Sequence, residues 1–138
     1  MAAWWAALLD VEPQSPNART TTITGSSLRV VIEHSQIALD YHPEASGVTA
    51  INLALGDLQE VHRTVNRLAQ LGSHPDRATR HGEVTALWFR DPNGADVALY
   101  LPAAIADHAA DVLSEELNPK TVLAHVSRTT RQTSGTSI

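Results

Sequence analysis

Cysteine is absent from this 138-residue chain, so disulfides and thiolate metal sites are closed to it, and a reducing cytoplasmic setting is expected. Positive charge is scarce as well: 10 Lys and Arg stand against 15 Asp and Glu, a formal net charge of -5. Nonspecific nucleic-acid binding needs a basic surface to neutralise phosphates, so no nucleic-acid partner is expected. Arg63, Arg67, Arg77 and Arg80 form at most a local patch and read as ordinary solvated surface. No basic segment precedes the short apolar run at the N-terminus and no window approaches the length of a membrane span, so neither a secretory signal nor a membrane partner is expected. Ser-His-Asp order, a glycine-rich phosphate loop and a nucleophile elbow are all missing.

What is present is enough apolar material, 43% of residues, for one domain with its own core. The chain is organised around residues 88–100. At the centre of that stretch, Asp91-Pro92-Asn93-Gly94 predicts a tight turn, because proline presets φ and Asn-Gly tolerates positive φ. β-prone residues flank it, predicting a hairpin whose second strand puts Asp96, Ala98 and Tyr100 on one face and Val97, Leu99 and Leu101 on the other.

Upstream, residues 1–9 read as a short helix, with Trp4 and Leu8, then Trp5 and Leu9, at i,i+4 spacing. A loop around Pro13 and Pro16 leads to a meander of strands at 20–24, 28–33 and 37–41, closed by a linker at 43–47. Residues 48–55 then alternate Ala50, Asn52 and Ala54 against Ile51, Leu53 and Leu55, a strand with an apolar face. Asp57 caps a helix with Glu60 three residues on and with Leu58, Val61, Val65 and Leu68 at helical spacing up to Gly72. Residues 75–82 read as an irregular strand and 84–90 as the first arm of the hairpin. An alanine-rich helix is expected over 103–117, stopped by Asn118-Pro119, then a strand over 120–127 and a disordered Ser/Thr/Gly tail.

The stretches Ala50-Ile51-Asn52-Leu53-Ala54-Leu55-Gly56-Asp57-Leu58, Leu68-Ala69-Gln70-Leu71-Gly72 and Phe89-Arg90-Asp91-Pro92-Asn93-Gly94 resemble, in order and spacing, the vicinal oxygen chelate superfamily of glyoxalases, extradiol dioxygenases and bleomycin-resistance proteins. The resemblance implies an α+β fold of paired βαβββ modules with curved mixed sheets enclosing a cavity. It also likens the first helix to the family's Phe-Trp-x-x-Leu-Leu helix, and then the strand that should precede that helix is missing. Thr121-Val122-Leu123-Ala124-His125-Val126-Ser127-Arg128 resembles that strand, so a circular permutation is expected, or a homodimer that exchanges the strand. On this plan residues 1–128 are one domain: module one is 1–47 plus 120–128, module two 48–101, the connecting helix 102–118 and the tail 129–138.

The same resemblance locates the family's metal ligands at His125, Ala50 and Ala98, with a further position near Leu39 or Asp40. Alanine ligates nothing, so no metal and no other cofactor is expected. His34, His42, His74, His81 and His125 show no ligand-like spacing and read as solvated. If the second half follows the family, Ala50, Asn52, Asp96, Ala98 and Tyr100 face a cavity to which the permuted strand adds His125, with His42 and Trp88 as further contacts for a small organic molecule. The competing expectation is a metal-independent isomerase, lyase or cyclase in which His125 works with Asp40 or Asp96 as an acid-base pair. Packing is the expected role of at least two of Trp4, Trp5 and Trp88, with stacking on a planar ligand open to the third.

Overall fold

The computed structural model describes residues 1–26, 28–33, 50–82, 84–102 and 115–135. The expected strand at 37–41, the linker at 43–47 and most of the alanine-rich helix lie outside the described residues, as do His34, Asp40 and His42. Two groups of elements follow one another: α1 (Ala2–Leu9), β1 (Gln14–Asn17), β2 (Thr20–Thr24) and β3 (Arg29–Glu33); then β4 (Ala50–Ala54), α2 (Leu58–Gln70), β5 (Arg77–His81), β6 (Val84–Arg90) and β7 (Asp96–Tyr100). A short strand β8 (Glu115–Leu117) and a helix α3 (Pro119–Ser134) close the chain.

Local chemistry fixes α2 first. The Asp57 carboxylate accepts from the Glu60 backbone N–H at 2.7 Å, and the Glu60 carboxylate reaches back to the Gly56 N–H at 2.8 Å, so two amides without intrahelical partners are satisfied. Gly72, at φ 74, ends the element with its N–H on the Ala69 carbonyl and the Ser73 N–H on the Leu68 carbonyl. Val61, Thr64, Val65 and Leu68 form the buried stripe.

That stripe meets a five-stranded mixed sheet of order β4-β7-β6-β5-β8, in which β4 runs parallel to β7 and the other neighbours are antiparallel. A parallel pair needs a crossover between its strands, and α2 lies on that crossover. Cross-strand register sets Leu87 opposite Leu99, Phe89 opposite Val97 and Ala78 opposite Leu87. These residues are wholly buried and share a core with α2 and with Val122 and Val126 of α3. β1, β2 and β3 form a separate antiparallel sheet, on which α1 packs over Ile23 while also touching α2. Trp4 and Trp5, in edge-to-face contact with ring centroids 5.3 Å apart, belong to this core, and the Trp4 indole N–H donates to Ser73 Oγ at 2.9 Å.

Four expectations need correction. Residues 14–17, taken for loop, form β1, and 115–117, taken for the end of a helix, form β8 beside β5. The larger change is at Thr121–Arg128, which is helical. Asn118-Pro119 starts an element instead of stopping one: the Asn118 side chain accepts from the Lys120 N–H at 2.9 Å and Pro119 occupies the first turn, where its missing N–H costs nothing. Of the β-branched residues that suggested a strand, Val122 and Val126 enter the core from one face of the helix; further along, threonine hydroxyls donate to carbonyls four residues back, Thr129 to His125 and Thr130 to Val126. The segment is therefore helix where a strand was expected, and α3 runs through Ser134 into what was expected to be a disordered tail.

Candidate functional site

Alternation along each strand divides the sheet into a helix face and a second, polar face. On the polar face, register aligns Ala50 with Asp96, Asn52 with Ala98 and Ala54 with Tyr100. The next strand continues the rows, Arg90 opposite Asp96, Trp88 opposite Ala98 and Ala86 opposite Tyr100, and β5 adds Arg77 opposite Trp88 and Thr79 opposite Ala86. Ala98 is buried, Ala50, Trp88, Asp96 and Tyr100 are half-buried, and Asn52 is exposed.

The hairpin turn is held by Asp91, whose buried carboxylate accepts from the Asn93 N–H at 2.9 Å and the Ala95 N–H at 3.0 Å. Gly94, at φ 89, closes the turn with its N–H on the Asp91 carbonyl. Asp96 is thereby spared turn-making and points its charge into a group at one end of the polar face. There its carboxylate lies 3.6 Å from the Arg77 guanidinium and 3.5 Å from Arg90 Nε, which is also 3.4 Å from Asp76. These separations are long for charge-assisted hydrogen bonds, and pairs so exposed contribute about 0 to 1 kcal/mol each. The guanidiniums are consequently held loosely enough to turn toward an arriving anion.

Trp88 is fixed more firmly. Its indole N–H donates to Thr79 Oγ1 at 2.8 Å, and the Arg77 guanidinium carbon stands 4.4 Å from its ring centroid, a cation–π contact. An aromatic surface with a cation beside it, Asn52 in the same row across Ala98 and Tyr100 in the next row can take a planar group and orient its polar substituents.

The sequence-predicted residues divide in three. Ala50, Asn52, Asp96, Ala98, Tyr100 and Trp88 share the polar face. Asp40 and His42 lie outside the described residues. His125 is elsewhere: it sits half-buried on α3, whose neighbours Val122 and Val126 enter the core on the helix face, so the sheet separates it from Asp96. Arg77 and Arg90 were not anticipated as site residues. Parity could have pointed to Arg90, two residues after Trp88 on the same face of β6, but Arg77 needed the β5 register, and 75–82 carries no apolar alternation to set it.

The residues at the positions where the resemblance implies metal ligands do not fit a metal. Ala50 and Ala98 offer methyl groups, His125 is on the other side of the sheet, and no group of three or more His, Asp or Glu among the described residues is placed to hold an ion. Among the described residues no helix is long and apolar enough to cross a membrane.

No protein-family model matches the chain, and neither does any curated protein sequence. Solved structures do match. A glyoxylase/bleomycin resistance protein/dioxygenase domain from Frankia sp. EAN1pec aligns with TM-score 0.56 at 18% identity over 71% of this chain and 83% of that one. A glyoxalase/bleomycin resistance protein from Albidiferax ferrireducens T118 aligns with TM-score 0.54 at 14% identity, covering 73% and 87%, and a lactoylglutathione lyase from Agrobacterium tumefaciens with TM-score 0.51 at 14%, covering 74% and 83%. Identities this low speak for the fold.

Proposed function

From a chain with the α+β fold of the glyoxalase/bleomycin-resistance proteins, we infer a small-molecule-binding protein that takes a planar organic anion on the polar face of its second module without a metal ion. The observation that carries this reading is the joint placement of Trp88 and Asn52 in one row and Tyr100 in the next, with Arg77 and Arg90 at the end of the face and alanine at both strand positions that the resemblance gives to metal ligands. A ring stacks beside Trp88, the guanidiniums exchange loose carboxylate contacts for the ligand's anion, and Asn52 and the Tyr100 hydroxyl set its orientation. Acid-base turnover through His125 draws less support from this placement: His125 lies on α3, whose Val122 and Val126 enter the core, while Asp96 lies on the polar face of β7.

The test uses 8-anilinonaphthalene-1-sulfonate, an aromatic anion that needs no metal. Saturable binding with quenching of tryptophan emission is expected, and Arg77→Gln with Arg90→Gln should weaken it about tenfold or more. Trp88→Phe should remove most of the quenching while leaving the fold intact by circular dichroism. Equal quenching in Trp88→Phe, or equal affinity in the double arginine variant, would contradict the assignment.

A further inference from the structure

A second cavity lies away from the polar face, where the end of α1, the turn between β2 and β3, the end of β4 and the start of α2 meet; its volume is about 240 Å³. Five leucines, Leu8, Leu9, Leu28, Leu53 and Leu55, supply its apolar wall. The wall is held in place by backbone structure on two sides. The Gly25 N–H bonds the Leu28 carbonyl at 2.8 Å, and a Cβ at Gly25 would stand 3.7 Å from Leu9 Cβ, so the turn is drawn close against α1. At the end of α1, Asp10 adopts a left-handed conformation, φ 55, with its N–H on the Ala6 carbonyl.

Four charged residues rim this cavity, and three of them are engaged. Arg67 donates from Nε to the Ala7 carbonyl at 2.7 Å and from Nη2 to Thr64 Oγ1 at 3.0 Å, and its remaining nitrogen is 3.7 Å from the Asp10 carboxylate. Glu60 accepts the Gly56 N–H as part of the α2 cap. Arg63, one turn further along α2, is exposed and has no hydrogen bond or ion pair among the described residues. Leucines on one side and, at the rim, a forked cation without a partner among the described residues match a molecule with an aliphatic chain and a carboxylate head.

We propose that this cavity is a second binding site, for a short-chain aliphatic carboxylate whose tail lies among Leu9, Leu28, Leu53 and Leu55 and whose head pairs with Arg63. Its volume, below the range of drug-sized pockets, limits the tail to a short chain. The site is separate from the group around Trp88: of the polar-face residues only Ala54, at the end of β4, lines it, and its cation and leucines belong to the helix side of β4 and to module one.

The experiment titrates the full chain with octanoate, following leucine methyl signals by NMR, with octan-1-ol as the uncharged tail. Saturable shifts at Leu9, Leu28 and Leu55 are expected with a Kd below about 1 mM, weakened about tenfold or more in Arg63→Gln and for octan-1-ol. Arg77→Gln should leave octanoate binding unchanged. Absence of saturable binding, an unchanged Kd in Arg63→Gln, equal affinity for the alcohol, or shifts confined to the Trp88 surroundings would each overturn the proposal.

Discussion

The two faces of the five-stranded sheet are built from alternate residues of the same strands, yet they obey different rules. On the helix face, Leu87, Phe89, Val97 and Leu99 are wholly buried in a core they share with α2 and α3. On the polar face the intervening residues include Trp88, Arg90, Asp96 and Tyr100, all of them at least partly accessible. A fold needs only one such sealed face for its core; the residues of the other are free of that demand, and their chemistry is therefore the more informative about binding.

The contrast can be broken most severely at Phe89. Phe89→Ala deletes a buried ring and should destabilise the protein by about 3–5 kcal/mol, read as a lower urea midpoint at unchanged slope. Its neighbour Trp88→Phe, on the polar face, should cost far less; comparable losses at the two positions would erase the distinction between the faces. A smaller effect is expected at Asn118, whose cap places the helix that covers part of the helix face. Asn118→Ala should cost about 1 kcal/mol in the same assay, and Asn118→Asp, which keeps an acceptor, much less. Smallest of all, Arg77→Gln should change stability by less than about 0.5 kcal/mol in thermal melts, because its ion pair is long and exposed. A large loss there would mean that Arg77 is a structural residue and not one available to a ligand.

These faces also show what a sequence can and cannot convey. The hairpin turn, the capped α2 and the alternation of β4 were legible because each is governed by near neighbours: a proline and glycine at set turn positions, a carboxylate three residues from its amide, apolar residues at period two or 3.6. From that parity came the shared face of Ala50, Asn52, Asp96, Ala98 and Tyr100. Thr121–Arg128 was misread because β-branched composition was weighed above the Asn118-Pro119 pair, which serves equally as a stop and as a cap with proline in the first turn. With that strand went the place given to His125. The stacking of Arg77 on Trp88 was invisible for another reason: it depends on the register of β5 against β6, a long-range pairing that the polar sequence of β5 does nothing to announce.

The most direct measurement follows the three indole N–H signals in ¹H–¹⁵N spectra while 8-anilinonaphthalene-1-sulfonate is added. Trp4 and Trp5 are sealed in the core and Trp88 lies on the polar face, so the Trp88 signal should shift saturably while the other two stay in place. Shifts of Trp4 or Trp5 with Trp88 unmoved would contradict the account, for the ligand would then be entering the sealed side of the molecule.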